Sequence, residues 1–254
     1  MKVFRIILLT LALLTSWQLV VLISGAPTYI LPGPLPVIQA IFHNWPELWM
    51  HLQTTGIEIL LGLLIGTLLG SSSALLMVLS PLLKRWMLPV LVISQAIPVF
   101  ALAPVLVLWL GYGLASKIAM AVLIIFFPVA SSFYYGMQRT HPDLLELARI
   151  MGASTPALFR FIIIPTALPA FGAGLRVATA VAPIGAIVGE WVGSSSGLGF
   201  YMLHANARMQ IDNMFAALAV LAIVSLALYF SIDAIISRII FWEQQKDLIH
   251  EKTL

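Results

Sequence analysis

The chain has 254 residues, of which 61% are hydrophobic and 9% charged, against about 25% charged in a soluble domain, so most of it belongs in lipid. It contains no cysteine, which removes disulfides and thiolate metal sites from consideration. A net charge of +3, scattered along the chain, is too small for nucleic-acid binding; the basic residues report membrane topology instead.

Lys2 and Arg5 precede an apolar run from Ile6 to Ile23. A cleavable signal peptide, ending at Ser24-Gly25-Ala26, is the competing reading. The run exceeds the usual apolar core of about 7–15 residues, so a retained first spanning helix is expected. Gly25 to Pro36 holds four prolines and two glycines and cannot be regular helix. Pro36 to His51 brings Trp45 and Trp49, aromatics suited to the membrane interface.

The second span covers about Leu52 to Leu79. Gly62-x3-Gly66-x3-Gly70 lines one face of it with small residues, which lets another helix approach closely. Glu58 near its start is costly in lipid unless it faces a cavity or a partner. The third span, about Met87 to Leu110, is interrupted by Pro89, Pro98 and Pro104, and irregular backbone at membrane depth needs protein or a cavity around it. Gln95, Pro98 and Phe100 therefore become candidates for lining a solute path. After the Gly111-Tyr112-Gly113 turn, Lys117 opens a fourth span running to about Tyr135.

Thr140 to Pro169 is polar enough for water although apolar runs flank it. It reads as two short helices with a break. Thr140 can cap the first, from Pro142 to Met151; Gly152 ends it in a left-handed turn, and Thr155-Pro156 starts the second. Leu144, Leu145, Ala148 and Met151 form an apolar stripe opposed by Asp143, Glu146 and Arg149. Such a stripe either rests on its own bundle or docks a soluble partner.

The fifth span runs from near Pro165 to about Val192, with Pro169 and Pro183 inside it. Arg176 within it is expected to find backbone carbonyls or Glu58. At its far end Glu190-Trp191 offers an acid and an indole, able to hydrogen-bond and stack a small heteroaromatic solute; an interfacial Trp beside a snorkelling acid is the alternative. Gly193-Ser194-Ser195-Ser196-Gly197 fits the G-x-S-x-G pattern of hydrolases, but that pattern needs a preceding strand, and none is expected. The sixth span covers about Met214 to Ile240, with Asp233 inside it, and a charged tail follows Trp242.

With the amino terminus inside, Lys84, Arg85, Arg139, Arg149, Arg160 and Arg238 fall on the cytoplasmic side together with both termini, and only Lys117 and Arg208 fall outside. This is the positive-inside bias expected of an inner-membrane protein with both ends in the cytoplasm. The histidines form no i, i+4 pair, so no metal site is expected within one segment. No Gly-Lys pair exists, so the chain carries no phosphate loop.

Glu146-Leu147-Ala148, Gly152 and Ile162-x-Ile164-Pro165 resemble the E-A-A-x3-G-x9-I-x-L-P signature of membrane permease subunits of bacterial ATP-driven (ABC) importers. Leu147 and Ile164 depart from it while staying apolar. The resemblance implies an all-α polytopic bundle of the type I importer fold with about six transmembrane helices. Its parts would be a first helix and periplasmic loop (1–51), a core permease (52–242) and a tail (243–254). A coupling loop over 137–165 would dock an ATPase through Glu146, Leu147, Ala148, Gly152, Ala153, Arg160 and Pro165. The resemblance further implies no catalysis and no cofactor on this chain, with ATP-Mg on two partner ATPase subunits, a second permease chain and a periplasmic binding protein. The substrate-pathway candidates are Gln95, Pro98, Glu190, Trp191, Arg176 and Glu58. A secondary transporter, with an inverted internal repeat, is the competing class.

Leu31-Pro32-Gly33-Pro34 and Ser195-Ser196-Gly197-Leu198-Gly199-Phe200 are similar to the nitrate, sulfonate, taurine and thiamine-precursor branch of these permeases. Gly189-Glu190-Trp191-Val192-Gly193 with Ala205-Asn206-Ala207-Arg208-Met209-Gln210 is most similar to permeases for hydroxymethylpyrimidine-type thiamine precursors. Riboflavin, sulfonate and nitrate stay open.

Overall fold

Uninterrupted apolar runs become single long helices, and prolines decide where most of the others begin. The computed structural model describes residues 2–242, all of whose regular elements are helical. In chain order these are α1 (Lys2–Ser24), α2 (Pro34–His43), α3 (Trp45–Leu79), α4 (Pro81–Ala96), α5 (Val99–Leu110) and α6 (Leu114–Gln138). They continue with α7 (Pro142–Ile150), α8 (Thr155–Leu158), a π-helical turn (Phe159–Ile163), α9 (Ile164–Gly193), α10 (Leu198–Ala207) and α11 (Ile211–Ile239). Pro34, Pro81 and Pro142 each open a helix, where a missing N–H costs nothing.

Four stretches are long and apolar enough to cross a bilayer: Trp45–Leu79, Leu114–Gln138, Thr155–Gly193 and Ile211–Ile239. The pair α4 and α5, bent by 106° at a short break, is apolar enough only when the two are taken together, as one broken span or a re-entrant loop. Pro98 stands at the break, while Pro89 and Pro104 are absorbed inside the two helices. The first apolar run is helix α1. The fifth span of the sequence reading begins earlier than expected, at Thr155 rather than Pro165. Pro165 has no N–H and crowds the preceding turn, and the chain widens there into the π turn instead of breaking. The charged tail from residue 243 lies outside the described residues.

The glycine ladder decides what packs where. Its face of α3 meets α6: a methyl added at Gly62 would lie 2.5 Å from Ala121 Cβ, and one at Gly66 would lie 2.7 Å from Ile125 Cγ2. From the other side α9 approaches the same helix, and a methyl at Gly185 would lie 2.6 Å from Ala121 Cα. Helix α6 is thus held between α3 and α9 at near-backbone distance. Arg176 of α9 reaches neither Glu58 nor backbone carbonyls, the two partners expected from the sequence. Its Nε donates to Asp233 of α11 at 2.6 Å and a second nitrogen donates to Ser237, tying α9 to α11. The hydrolase pattern fails structurally, since no strand precedes it among the described residues and Ser194 Oγ donates to the Ser196 carbonyl two residues on.

Candidate functional site

Two regions at opposite ends of the bundle concentrate the predicted residues. At one end α10 is fastened to α3 and α9 by side chains that receive its first N–H groups, which no helix can satisfy internally. Gly197, at φ +108°, turns the chain into α10 and donates its N–H to His51 Nδ1 at 3.0 Å. The Leu198 N–H donates to Thr55 Oγ1 at 2.8 Å. The Gly199 and Phe200 N–H groups donate to Glu190 Oε2, and the Thr55 hydroxyl donates to Glu190 Oε1 at 2.6 Å. A methyl at Gly197 would collide with the Glu190 carboxyl, so glycine is required there by space as well as by backbone angle.

Glu190 is 1% exposed and its oxygens are engaged by backbone amides and Thr55. Its neighbour Trp191 points the other way, 43% exposed, and meets Phe100 edge-on at 6.4 Å. The acid and the indole therefore do not form one recognition face. Trp191 instead borders an apolar cavity of about 650 Å³ with Pro183, Ile187, Met202 and Leu221. Gln95 and Pro98 are exposed at the α4–α5 break.

Glu58 lies beside Glu190, one turn along α3 from Thr55, and is fully buried. Its carboxyl oxygens find no amide or hydroxyl partner, and the group they face is the Glu190 carboxyl itself. Lys117 of α6 is nearby and buried, but its Nζ donates to the Tyr112 and Gly113 carbonyls. His51 and Thr55 were not among the predicted site residues. The available signal was their spacing with Glu58, which puts all three polar groups on one face of an apolar helix.

At the opposite end, the link from α6 to α9 carries α7. Gly152, at φ +83°, ends it in a Schellman motif, with the Gly152 N–H donating to Arg149 and the Ala153 N–H to Ala148. Thr140 does not cap α7; it is buried, and its hydroxyl donates back to the Met137 carbonyl. Leu145 and Ala148 are half-buried, while Leu144, Leu147, Ile150 and Met151 stand exposed, Ile150 at 84%. Glu146 and Arg160 are exposed too. The link ends in buried Leu158. Four large apolar side chains of this short helix are therefore left uncovered.

No group of residues suited to hold a metal occurs among the described residues. Residues 62–240 match the family described as "Binding-protein-dependent transport system inner membrane component". Over 240 residues the chain is 53% identical to a probable ABC transporter permease protein of Haemophilus influenzae, covering 94% of this chain and 98% of that protein. It is 35% identical to the formylaminopyrimidine transport permease protein ThiX of Halalkalibacterium halodurans, covering 93% and 94% of the two chains. It is 36% identical to the riboflavin transport system permease protein RibX of Chloroflexus aurantiacus, covering 91% and 87%.

Proposed function

This chain belongs to the family of inner-membrane permease components of binding-protein-dependent ABC importers, and on that premise we propose that it conducts a pyrimidine-type thiamine precursor. It is a membrane component and not the ATPase, and it acts with an ATPase and a solute-binding protein. The secondary-transporter alternative falls with that membership.

Two copies of the chain form the pathway, and an ATPase subunit holds each at α7. The observation that carries this is the exposed face of Leu144, Leu147, Ile150 and Met151 on a helix anchored at both ends of its link. A cleft on the ATPase that covers this face moves α7 when ATP closes the ATPase pair. Glu146, Arg160 and the Gly152 turn fix how α7 is presented, and α6 and α9 carry the motion inward. Similarity to the formylaminopyrimidine permease over 93% of the chain supports the substrate, and similarity to the riboflavin permease supplies the second reading.

The test is uptake into proteoliposomes containing this chain, its ATPase and its binding protein. ATP-dependent accumulation of radiolabelled formylaminopyrimidine or hydroxymethylpyrimidine, unaffected by excess riboflavin or taurine, is expected. Uptake of riboflavin alone would overturn the substrate, and uptake without ATP would overturn the mechanism.

A further inference from the structure

The clamp that fastens α10 also shapes a cleft of about 320 Å³ between the start of α3, α10 and the start of α11, near the lower end of the size range of small-molecule pockets. Glu47, His51, Phe200, Tyr201, His204 and Arg208 line it. The Asn44 amide donates to Asn213 Oδ1 at 2.9 Å and closes one wall.

Two of these side chains are more than nine-tenths buried, His51 at 5% and Tyr201 at 7% exposed, yet each keeps a polar tip that no protein group engages. Because the Gly197 N–H occupies Nδ1 of His51, the hydrogen bond assigns the ring proton to Nε2, leaving a donor to spare. The Tyr201 hydroxyl makes no hydrogen bond, and neither it nor Nε2 is among the sealed, unpartnered atoms. Both tips therefore open into the cleft. Rings surround them: His51 sits 5.3 Å from Tyr201 and 5.9 Å from Phe200, and Phe200 sits 4.2 Å from His204. Glu47 adds an exposed acceptor and Arg208 an exposed donor.

We propose that this cleft is a solute-binding site for a small, flat nitrogen heterocycle bearing an exocyclic amine, the class to which the aminopyrimidines belong. The buried Nε2–H and phenol meet ring nitrogens, the Glu47 carboxylate accepts from the amine, and the aromatic walls stack against the ring plane. A protein loop is the less suitable occupant, because the unspent polar groups sit in a pocket of small-molecule size. The α10 clamp holds the pocket in shape, since the helix that supplies the largest share of its wall is fixed to α3 and α9. The identity of the heterocycle rests on the substrate reading above, while the site does not.

The test is direct binding of 4-amino-5-hydroxymethyl-2-methylpyrimidine to the detergent-solubilised permease–ATPase complex, without binding protein, by titration calorimetry. Wild type is expected to bind. Tyr201→Phe, which keeps the ring, and Glu47→Gln, on an exposed side chain, should each weaken binding at least tenfold. Absence of wild-type binding, equal binding by both variants, or equally tight binding of taurine would overturn the proposal. So would variants that keep the heterocycle but lose the binding protein, which would mark a docking surface. Binding in the cleft without uptake in the proteoliposome assay would sink the substrate reading and leave the site standing.

Discussion

Thr55 offers the sharpest test of the clamp. It is 0% exposed and its hydroxyl holds two partners at once, receiving the Leu198 N–H and donating to Glu190. Thr55→Val keeps the shape and removes both bonds. Each buried group left without a partner costs about 1–3 kcal/mol, more for a charged one, so a loss of about 4 kcal/mol is expected. Thr55→Ser keeps the hydroxyl and loses one methyl, about 0.8 kcal/mol. The difference of about 3 kcal/mol corresponds to roughly a 100-fold larger open population of α10. The chain has no cysteine, so Met202→Cys on α10 gives a single buried thiol whose labelling rate reports that opening. Labelling in the Thr55→Val background should run about two orders of magnitude faster than in Thr55→Ser. Equal rates would refute the clamp. Glu190→Gln should fall between the two, because the amide oxygen can serve α10 while the Thr55 proton turns to the His51 carbonyl at 3.3 Å.

Other substitutions separate backbone from side-chain causes. Gly62→Ala should destabilise by about 1–3 kcal/mol and be rescued by Ala121→Gly, whereas Gly185→Ala, which meets Ala121 backbone, should not be rescued; thermal unfolding of the four variants decides. Gly152 has open space around it and is needed for its backbone angle alone, so substrate uptake should fall in the order Asn, Ala, Val at this position; equal uptake by Asn and Val would contradict this. Asp233→Asn should lower the melting temperature, and adding Arg176→Met should restore part of the loss by removing the orphaned charge. Burial, reinforced by Glu47 and Asp212, pushes the Tyr201 phenol up to about 12. Its contribution to stability is complete below pH 10 and is lost as pH rises through about 12, so the last phenolate step near 295 nm should vanish in Tyr201→Phe.

The parts of the fold written in local pattern were legible. The Gly62, Gly66 and Gly70 spacing foretold a close helix contact, Pro98 (though not Pro89 or Pro104) foretold the break between α4 and α5, and Gly152 foretold the turn after α7. What could not be read were the pairings between distant segments. Thr55 meets Glu190 across 135 positions and His51 meets Gly197 across 146, and nothing in one sequence selects such partners. For Arg176 the sequence offered backbone carbonyls or Glu58, another charge in a span, but helical rise places Arg176 roughly 21 Å along α9 from Glu190, and its partner is Asp233. Glu190 and Trp191 were grouped because they are adjacent, although neighbours on a helix point about 100° apart.

Ala121 touches a glycine helix on each side, and that has a mechanical consequence. Three rods packed at near-backbone distance leave little room to slide, so α3, α6 and α9 are expected to move together. A push delivered where α6 hands over to α7 and α9 returns would then pass along all three helices together, and the bend at Pro98, outside them, is where the chain is expected to yield.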